Sequence, residues 1–115
     1  MRVSASAAAT IYIAGMMHRD HLVFVEAIHR RHLVQVVFTR ATGDQASRRC
    51  VPLDFGPYQR YPGNRYHLID LDSPSGPHPM GLDGARVIAI RDTGEPFDPE
   101  TTITWSYPWN IERSW

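Results

Sequence analysis

The chain has 115 residues, of which 43% are hydrophobic and 21% charged, which predicts one globular domain with a single core. Twelve basic and twelve acidic residues cancel, so no overall field draws the protein to nucleic acid or to a membrane. All the cations are arginines. This bias is typical of a GC-rich genome, and it also supplies planar groups suited to phosphate.

Residues 18–32 are predicted to form one helix. Leu22, Phe24, Val25 and Ile28 fall within one arc at about 100° per residue. The basic residues at the end of this segment suit the negative end of a helix dipole.

From residue 33 onwards the residue pattern is typical of β-strands. A strand is predicted over 33–40, with alternate apolar residues on one face. A turn at 41–44 leads into a strand at 47–55, and Pro52 in it is typical of an edge, a bulge or a strand end. A loop over 56–64 precedes the strand "RYHLIDLD", residues 65–72.

Further on, 73–79 is predicted as a loop, 85–92 as a strand and 93–99 as a turn, and 101–109 as a last strand or an extended tail. One helix followed by four or five antiparallel strands predicts an α+β, mainly β fold. The expected architecture is a small, strongly bent sheet or an SH3/Sm-like barrel.

Three segments follow from this pattern: an uncertain N-terminal extension (1–17), the domain proper (18–99) and an aromatic C-terminal strand or tail (100–115). The extension weakly resembles a signal peptide, although Ser and Thr interrupt its apolar centre. No apolar run reaches the ~18 residues of a membrane helix, so we expect no membrane partner. The single Cys50 excludes an internal disulfide and predicts a reducing, cytoplasmic location.

Four histidines fall on one face of the predicted helix, namely His18, His21, His29 and His32. The two pairs are eleven residues apart, about 16 Å along a helix, so they cannot share one metal ion. No acidic residue or cysteine is placed to complete either pair. We expect a structural or interfacial role for them, with no metal and no cofactor.

Catalytic patterns are missing from the sequence. It contains neither a Gly-rich phosphate loop nor a nucleophile elbow. Cys50 lies in a strand-like run, where a cysteine is usually a small core residue. We therefore expect a protein that is not an enzyme.

Arginines interleaved with aromatic side chains form the remaining candidate site. Such a mixture suits a nucleotide or single-stranded nucleic acid, because guanidinium groups bind phosphate and rings stack on bases. The other interpretation is a solvated rim around tyrosines that pack the mouth of a barrel. The residues are Arg48, Arg49, Arg60, Arg65, Arg86, Tyr58, Tyr61, Tyr66 and His67.

The order of several segments resembles the WYL domain family of bacterial regulators. "AIHRRHLVQVVFTRATGDQASRRCVPLDF", "YHLIDLD" and "GLDGARVIAIRDTGEPFDP" follow one another over roughly residues 20–99. The Trp-Tyr-Leu strand that names the family would be matched by Tyr66, His67 and Leu68. Its first two residues differ here, and Gly81 replaces an arginine usual in the next segment.

The resemblance implies an Sm- or SH3-like fold and a sensory or accessory role in transcriptional control. The winged helix-turn-helix that usually accompanies the family does not fit within residues 1–17, so binding to duplex operators is not expected. We predict an anionic ligand, a nucleotide or single-stranded nucleic acid. Arg49, Arg65 and Arg86 would contact the charge, Tyr66 would stack and His67 would hydrogen-bond.

The aromatic C-terminus supports a second hypothesis, a protein-interaction module that forms a homodimer or binds a regulatory partner. Trp105, Tyr107, Trp109 and Trp115 are of the type that anchors interfaces. They could equally cover the domain's own barrel.

Overall fold

The computed structural model describes residues 17–58, 61–105 and 108–115, with only the backbone described at 61 and 62. Residues 1–16 of the predicted extension lie outside these ranges, as do Arg60, Tyr107 and the side chain of Tyr61. The α+β, mainly β class is confirmed: one helix precedes a five-stranded antiparallel sheet.

The helix α1 spans His21–Arg30 and buries Phe24, Ala27 and Ile28. It is shorter than the predicted 18–32 because Arg31 adopts a left-handed conformation (φ 61°) and stops the helical pattern. Leu22, predicted on the apolar face, is 72% exposed.

The strands are β1 (His32–Thr39), β2 (Gln45–Tyr58), β3 (Tyr61–Asp70), β4 (His78–Leu82) and β5 (Val87–Pro96). A 3₁₀ turn, Gly84–Arg86, joins β4 to β5, and a one-turn helix α2, Pro99–Thr102, follows β5. The strand order in the sheet is β4-β3-β2-β1-β5. The prediction of a loop over 56–64 is wrong for most of its length, since Gly56 pairs with Arg65 and Tyr58 with Tyr61.

The strand β4 was predicted partly as a loop, and 101–109 was offered as a last strand. Instead β4 forms one edge of the sheet, and the described part of 101–109 continues α2 and then runs irregularly.

The order of the strands forces the sheet to curl. β4 and β5 lie at opposite edges, which in a flat sheet of five strands would be about 19 Å apart. Only residues 83–86 connect them, and part of this link is wound into a 3₁₀ turn that rises about 2 Å per residue. Leu82 and Val87, the ends of the two edge strands, accordingly meet in one core cluster.

The inner core lies between the concave side of the sheet and α1. The predicted face of β1 is confirmed, because Val34, Val36 and Phe38 are all buried in this core. Cys50 is also there and is fully buried.

A second apolar cluster, the outer cluster, lies on the opposite side of the sheet around Leu33, Val51, Leu53 and Ile69. A bulge in β2 separates the two layers, since Pro52 pairs with Leu68 whereas Asp54 pairs with the adjacent His67. The extra residue, Leu53, lets Val51 and Leu53 face outwards while Phe55 returns to the inner core. Residues from 97 onwards pack over the outer cluster through Phe97, Ile103 and Trp109.

Candidate ligand-binding site

The predicted stacking residue Tyr66 is a core residue. Its side chain is 1% exposed, and its ring packs at 4.5 Å from Phe55 and 4.9 Å from Phe24. The phenol oxygen accepts the backbone N–H of His18 at 2.8 Å and lies 2.9 Å from Nδ1 of His21, to which its O–H can donate. Burial raises the pKa of Tyr66. Because no face of the ring is open, a stacking role for Tyr66 does not fit the structure.

The predicted arginines are spread over the sheet. Arg49 lies 3.4 Å from Glu95 and 3.9 Å from Asp72. The Nε of Arg86 donates to the carbonyl of Thr39 at 2.9 Å, at the far end of β1. Arg65 is opposite Gly56, seven positions along β2 from Arg49, or about 23 Å at the usual rise per residue. The five predicted residues therefore do not form one site.

Arg65 and His67 lie close to each other on the outer face of the sheet, beside β4. His67 pairs with Gly81 across β3 and β4. A Cβ built on Gly81 would lie 3.6 Å from Cδ of Arg65 and 3.8 Å from Nδ1 of His67. The missing side chain of Gly81 thus leaves a shallow floor between these two residues.

This floor belongs to a pocket of about 330 Å³, the first pocket. Its volume is at the low end of the range for small-molecule sites, about 300–1,000 Å³. Aromatic side chains dominate its walls, and Tyr58 and Trp105 are 40% and 41% exposed. The lining residues are Leu53, Tyr58, His67, Leu68, Pro79, Met80, Gly81, Trp105 and Trp109.

The tautomer of His67 follows from its partner. Nε2 lies 2.9 Å from the carbonyl oxygen of Gly56, which can only accept, so Nε2 carries the hydrogen. In the neutral ring Nδ1 is then an acceptor, and it is on the side of Gly81. The pocket can therefore accept a hydrogen bond from an N–H or O–H of a ligand.

The C-terminal wall of this pocket is held by one buried carboxylate. Asp54, which is completely buried, accepts the backbone N–H groups of Asn110 and Ile111, each at 2.9 Å. It also accepts the side-chain amide of Asn110 at 3.1 Å and a guanidinium N–H of Arg113 at 3.4 Å. These bonds fix segment 108–115 to β2, while Ile111 and Trp115 of the same segment pack against the inner core.

Arg113 and the final tryptophan extend this anchoring. The Arg113 guanidinium carbon lies 4.0 Å from the ring centroid of Trp109 and 4.7 Å from that of Trp115. The indole N–H of Trp115 donates to the carbonyl of Ile28 at 2.8 Å, which also accepts the backbone N–H of Arg31 at the end of α1 at 3.2 Å. Trp109 and Trp115 thus cover the chain's own domain, as one of the two interpretations of the tail predicted.

A second pocket of about 360 Å³ lies on the other side of the same tryptophans. It shares Trp105 and Trp109 with the first pocket, and it has a more polar lining that includes Arg31, Asp98 and Glu100.

The histidines of the helical segment lie in separate environments. His18 and His21 meet at Tyr66, His29 is 2.9 Å from the carbonyl of Glu112, and His32 is 3.0 Å from Asp92. Among the described residues, no group of three or more His, Cys, Asp or Glu side chains is arranged to hold a metal ion.

Cys50 offers no reactive thiol in the folded chain. Burial, with Asp70 and Asp72 nearby, raises its pKa to about 12. The described part of the chain also contains no helix that is long and apolar enough to cross a membrane.

No protein-family model matches the chain, and a search of curated proteins finds no matching sequence. The resemblance to the WYL family therefore stays a prediction.

The sequence predicted two residues of the pocket, Tyr58 and His67, and missed the others that build it. Tyr58 was among the candidates, but Trp105 and Trp109 were assigned only to an interface or to the barrel, and Asp54 was not considered. One signal was present: Asp54 interrupts the apolar run "CVPLDF", and a carboxylate in such a strand requires buried donors.

Proposed function

We propose that this chain is a non-enzymatic, ligand-binding domain whose first pocket takes the base of a nucleotide or of single-stranded nucleic acid. The observation that supports this most is the open pocket in which two half-exposed rings, Tyr58 and Trp105, lie close to His67 and Gly81. Aromatic faces bind bases of every kind by stacking, and His67 Nδ1 can accept a hydrogen bond from a base edge.

Arg65 supplies the contact with phosphate in this proposal. Its aliphatic part lies against Gly81, at the rim of the pocket, and its side chain is partly exposed. A base seated on the pocket floor would leave its sugar and phosphate near this rim. Arg49 pairs with Asp72 and Glu95, and Arg86 donates to the carbonyl of Thr39 at the end of β1; neither is part of the proposed site.

The regulatory part of the proposal is an accessory or sensory domain of a bacterial regulator, located in the cytoplasm. It rests on the ordered segments that resemble the WYL family, and the buried, unpaired Cys50 is compatible with a reducing compartment.

Binding can be tested by intrinsic fluorescence titration of the full chain with an adenine mononucleotide and, separately, with a short single-stranded DNA. Removal of one stacked ring costs about 1–3 kcal/mol, so Trp105→Ala should weaken binding about 5- to 150-fold. Leu22→Ala, at an exposed position on α1, is the control and should bind normally.

Phosphate recognition has its own test in the salt dependence of oligonucleotide binding. Arg65→Gln should reduce the slope of log K against log salt by about 0.7, the value for one phosphate contact on a single strand. Arg91→Gln, an exposed arginine on β5, should leave the slope unchanged. An equal reduction of the slope in both variants would show that only the overall charge matters, and it would contradict a specific phosphate contact by Arg65. Binding of oligonucleotide but not mononucleotide would identify a nucleic acid as the ligand.

A further inference from the structure

The C-terminal segment 108–115 lacks helix and strand, but it is held in place by specific contacts. Two of its backbone N–H groups, from Asn110 and Ile111, and two of its side chains, from Asn110 and Arg113, converge on Asp54. A segment with no ladder of its own depends on such anchors for its position, because each ordered residue loses conformational entropy.

The anchor and the pocket are neighbours on the same face of the sheet. Asp54 pairs with His67 across β2 and β3, and His67 lines the first pocket together with Trp109. Trp109 directly precedes Asn110, which bonds to Asp54 through both its backbone and its side chain.

A second link runs through Arg113. Its guanidinium bonds to Asp54 and packs on the ring of Trp109 at 4.0 Å. One carboxylate therefore fixes Trp109 from both sides, through the backbone of the next residue and through a cation on the ring face.

Segment 108–115 packs so closely against β2 at Gly56 that a different position for Asn110 is disfavoured. A Cβ built on Gly56 would lie 2.5 Å from Nδ2 of Asn110, and the φ of Gly56 is +147°. Asn110 thus approaches the backbone of β2 at a position where only glycine lets it reach Asp54 and the carbonyl of Pro57.

We propose that Asp54 is a positioning residue for the ligand site: it seats segment 108–115, and the seated segment places Trp109 in the wall of the first pocket. The identity of the ligand rests on the function proposed above, whereas the seating itself does not. Because the ligand binds only the seated form, seating and binding are coupled. The apparent dissociation constant rises in inverse proportion to the seated fraction.

Asp54→Asn in the full chain tests this coupling. Both carboxylate oxygens of Asp54 accept N–H groups, and the new amide turns an NH₂ group towards one set of these donors. Asp44→Asn, at a carboxylate 61% exposed in the turn before β2, is the matched control.

Three readouts are expected to change together. Hydrogen exchange at the amides of Asn110 and Ile111 becomes at least tenfold faster, while the amide of Val36 in the interior strand β1 still exchanges far more slowly than these two. The indole resonance of Trp109 shifts, and mononucleotide binding weakens at least tenfold. Asp44→Asn changes none of them.

Unchanged exchange at Asn110 and Ile111, or an unshifted Trp109 indole, would refute the positioning role whether or not a nucleotide binds. Faster exchange with unaltered affinity would refute the coupling. If the unmodified chain binds no nucleotide, the proposed function fails, and the exchange and indole measurements still decide the role of Asp54.

Asn110→Ala serves where Asp54→Asn does not fold. It removes the side-chain amide that donates to Asp54 at 3.1 Å and, at an exposed position, to Pro57 at 3.3 Å, and it keeps both backbone bonds. The same changes should therefore follow at a smaller scale, about three- to tenfold in affinity, which is the net value of one part-buried hydrogen bond. Equal exchange and equal indole position in this variant and the unmodified chain would overturn the proposal.

Discussion

Gly81→Ala should raise the stability of the protein and lower its affinity for ligand. The backbone at Gly81 is outside the left-handed region, and the added Cβ would meet its nearest neighbours, Arg65 Cδ and His67 Nδ1, at 3.6 and 3.8 Å. These are ordinary contact distances, so the substitution introduces no clash. Replacement of glycine at such a site stabilises by about 0.4–1 kcal/mol, because the unfolded chain loses freedom. For a domain of this size, Tm should increase by about 2–6 °C.

The same methyl group occupies the floor of the first pocket. A base that rests on this floor must move or be displaced, and overpacking of this kind costs about 1–3 kcal/mol, or about 5- to 150-fold in affinity. Thermal unfolding followed by circular dichroism measures the first effect, and calorimetric titration with an adenine mononucleotide measures the second.

Gly63→Ala is the control for both measurements. Gly63 lies in β3, and a Cβ there meets nothing within 4 Å, so it should give a similar small stabilisation with normal binding. A Gly81→Ala protein that is more stable and binds as well as the unmodified chain would show that the ligand does not occupy this pocket.

Three further predictions concern the framework around the site. Trp115→Phe keeps a ring but removes the indole N–H that donates to the carbonyl of Ile28 at 2.8 Å; since this carbonyl still accepts from Arg31, the substitution should cost about 0.5–1.5 kcal/mol in urea unfolding, and a cost near zero would contradict a stabilising role for this bond. Cys50, with a pKa of about 12, should resist thiol reagents in native buffer and react at once in denaturant; rapid native labelling would argue against burial. Burial lowers the pKa of His21 below the ordinary histidine value of about 6.5, so the unfolded chain takes up the proton first and stability should fall as the pH drops from about 7 towards 5; this loss of stability should be smaller in His21→Gln, and an equal loss would show that other groups cause it.

Most of the sheet could be predicted because its central strands carry the expected pattern. Val34, Val36 and Phe38 occupy every second position of β1, and they share the buried face on which alternation places them. β4 was missed because its sequence, "HPMGL", contains proline and glycine, which disfavour strands. An edge strand tolerates both, since one of its sides has no ladder, and edge position is not visible in the sequence.

The site was harder to predict than the fold, for two different reasons. Tyr66 shares a strand face with Leu68, so alternation places both side chains in the core, where the structure has them. The prediction assigned Tyr66 to the site because it is an aromatic residue close to arginines and because it matches a named strand of the WYL family. Asp54 and Trp109 were missed for a different reason, the long separation in sequence between the residues that contact each other. They are linked through the bond between Asp54 and Asn110, which are 56 positions apart, and no local pattern shows which distant residue supplies the donor to Asp54.

The most direct test of the account is a two-dimensional NMR titration of the full chain with an adenine mononucleotide. We predict saturable shifts at the indole groups of Trp105 and Trp109 and at the amides of His67 and Gly81, with little change around Arg49. Saturable shifts centred on Arg49 or Arg86, or no shifts in the first pocket at millimolar nucleotide, would contradict it.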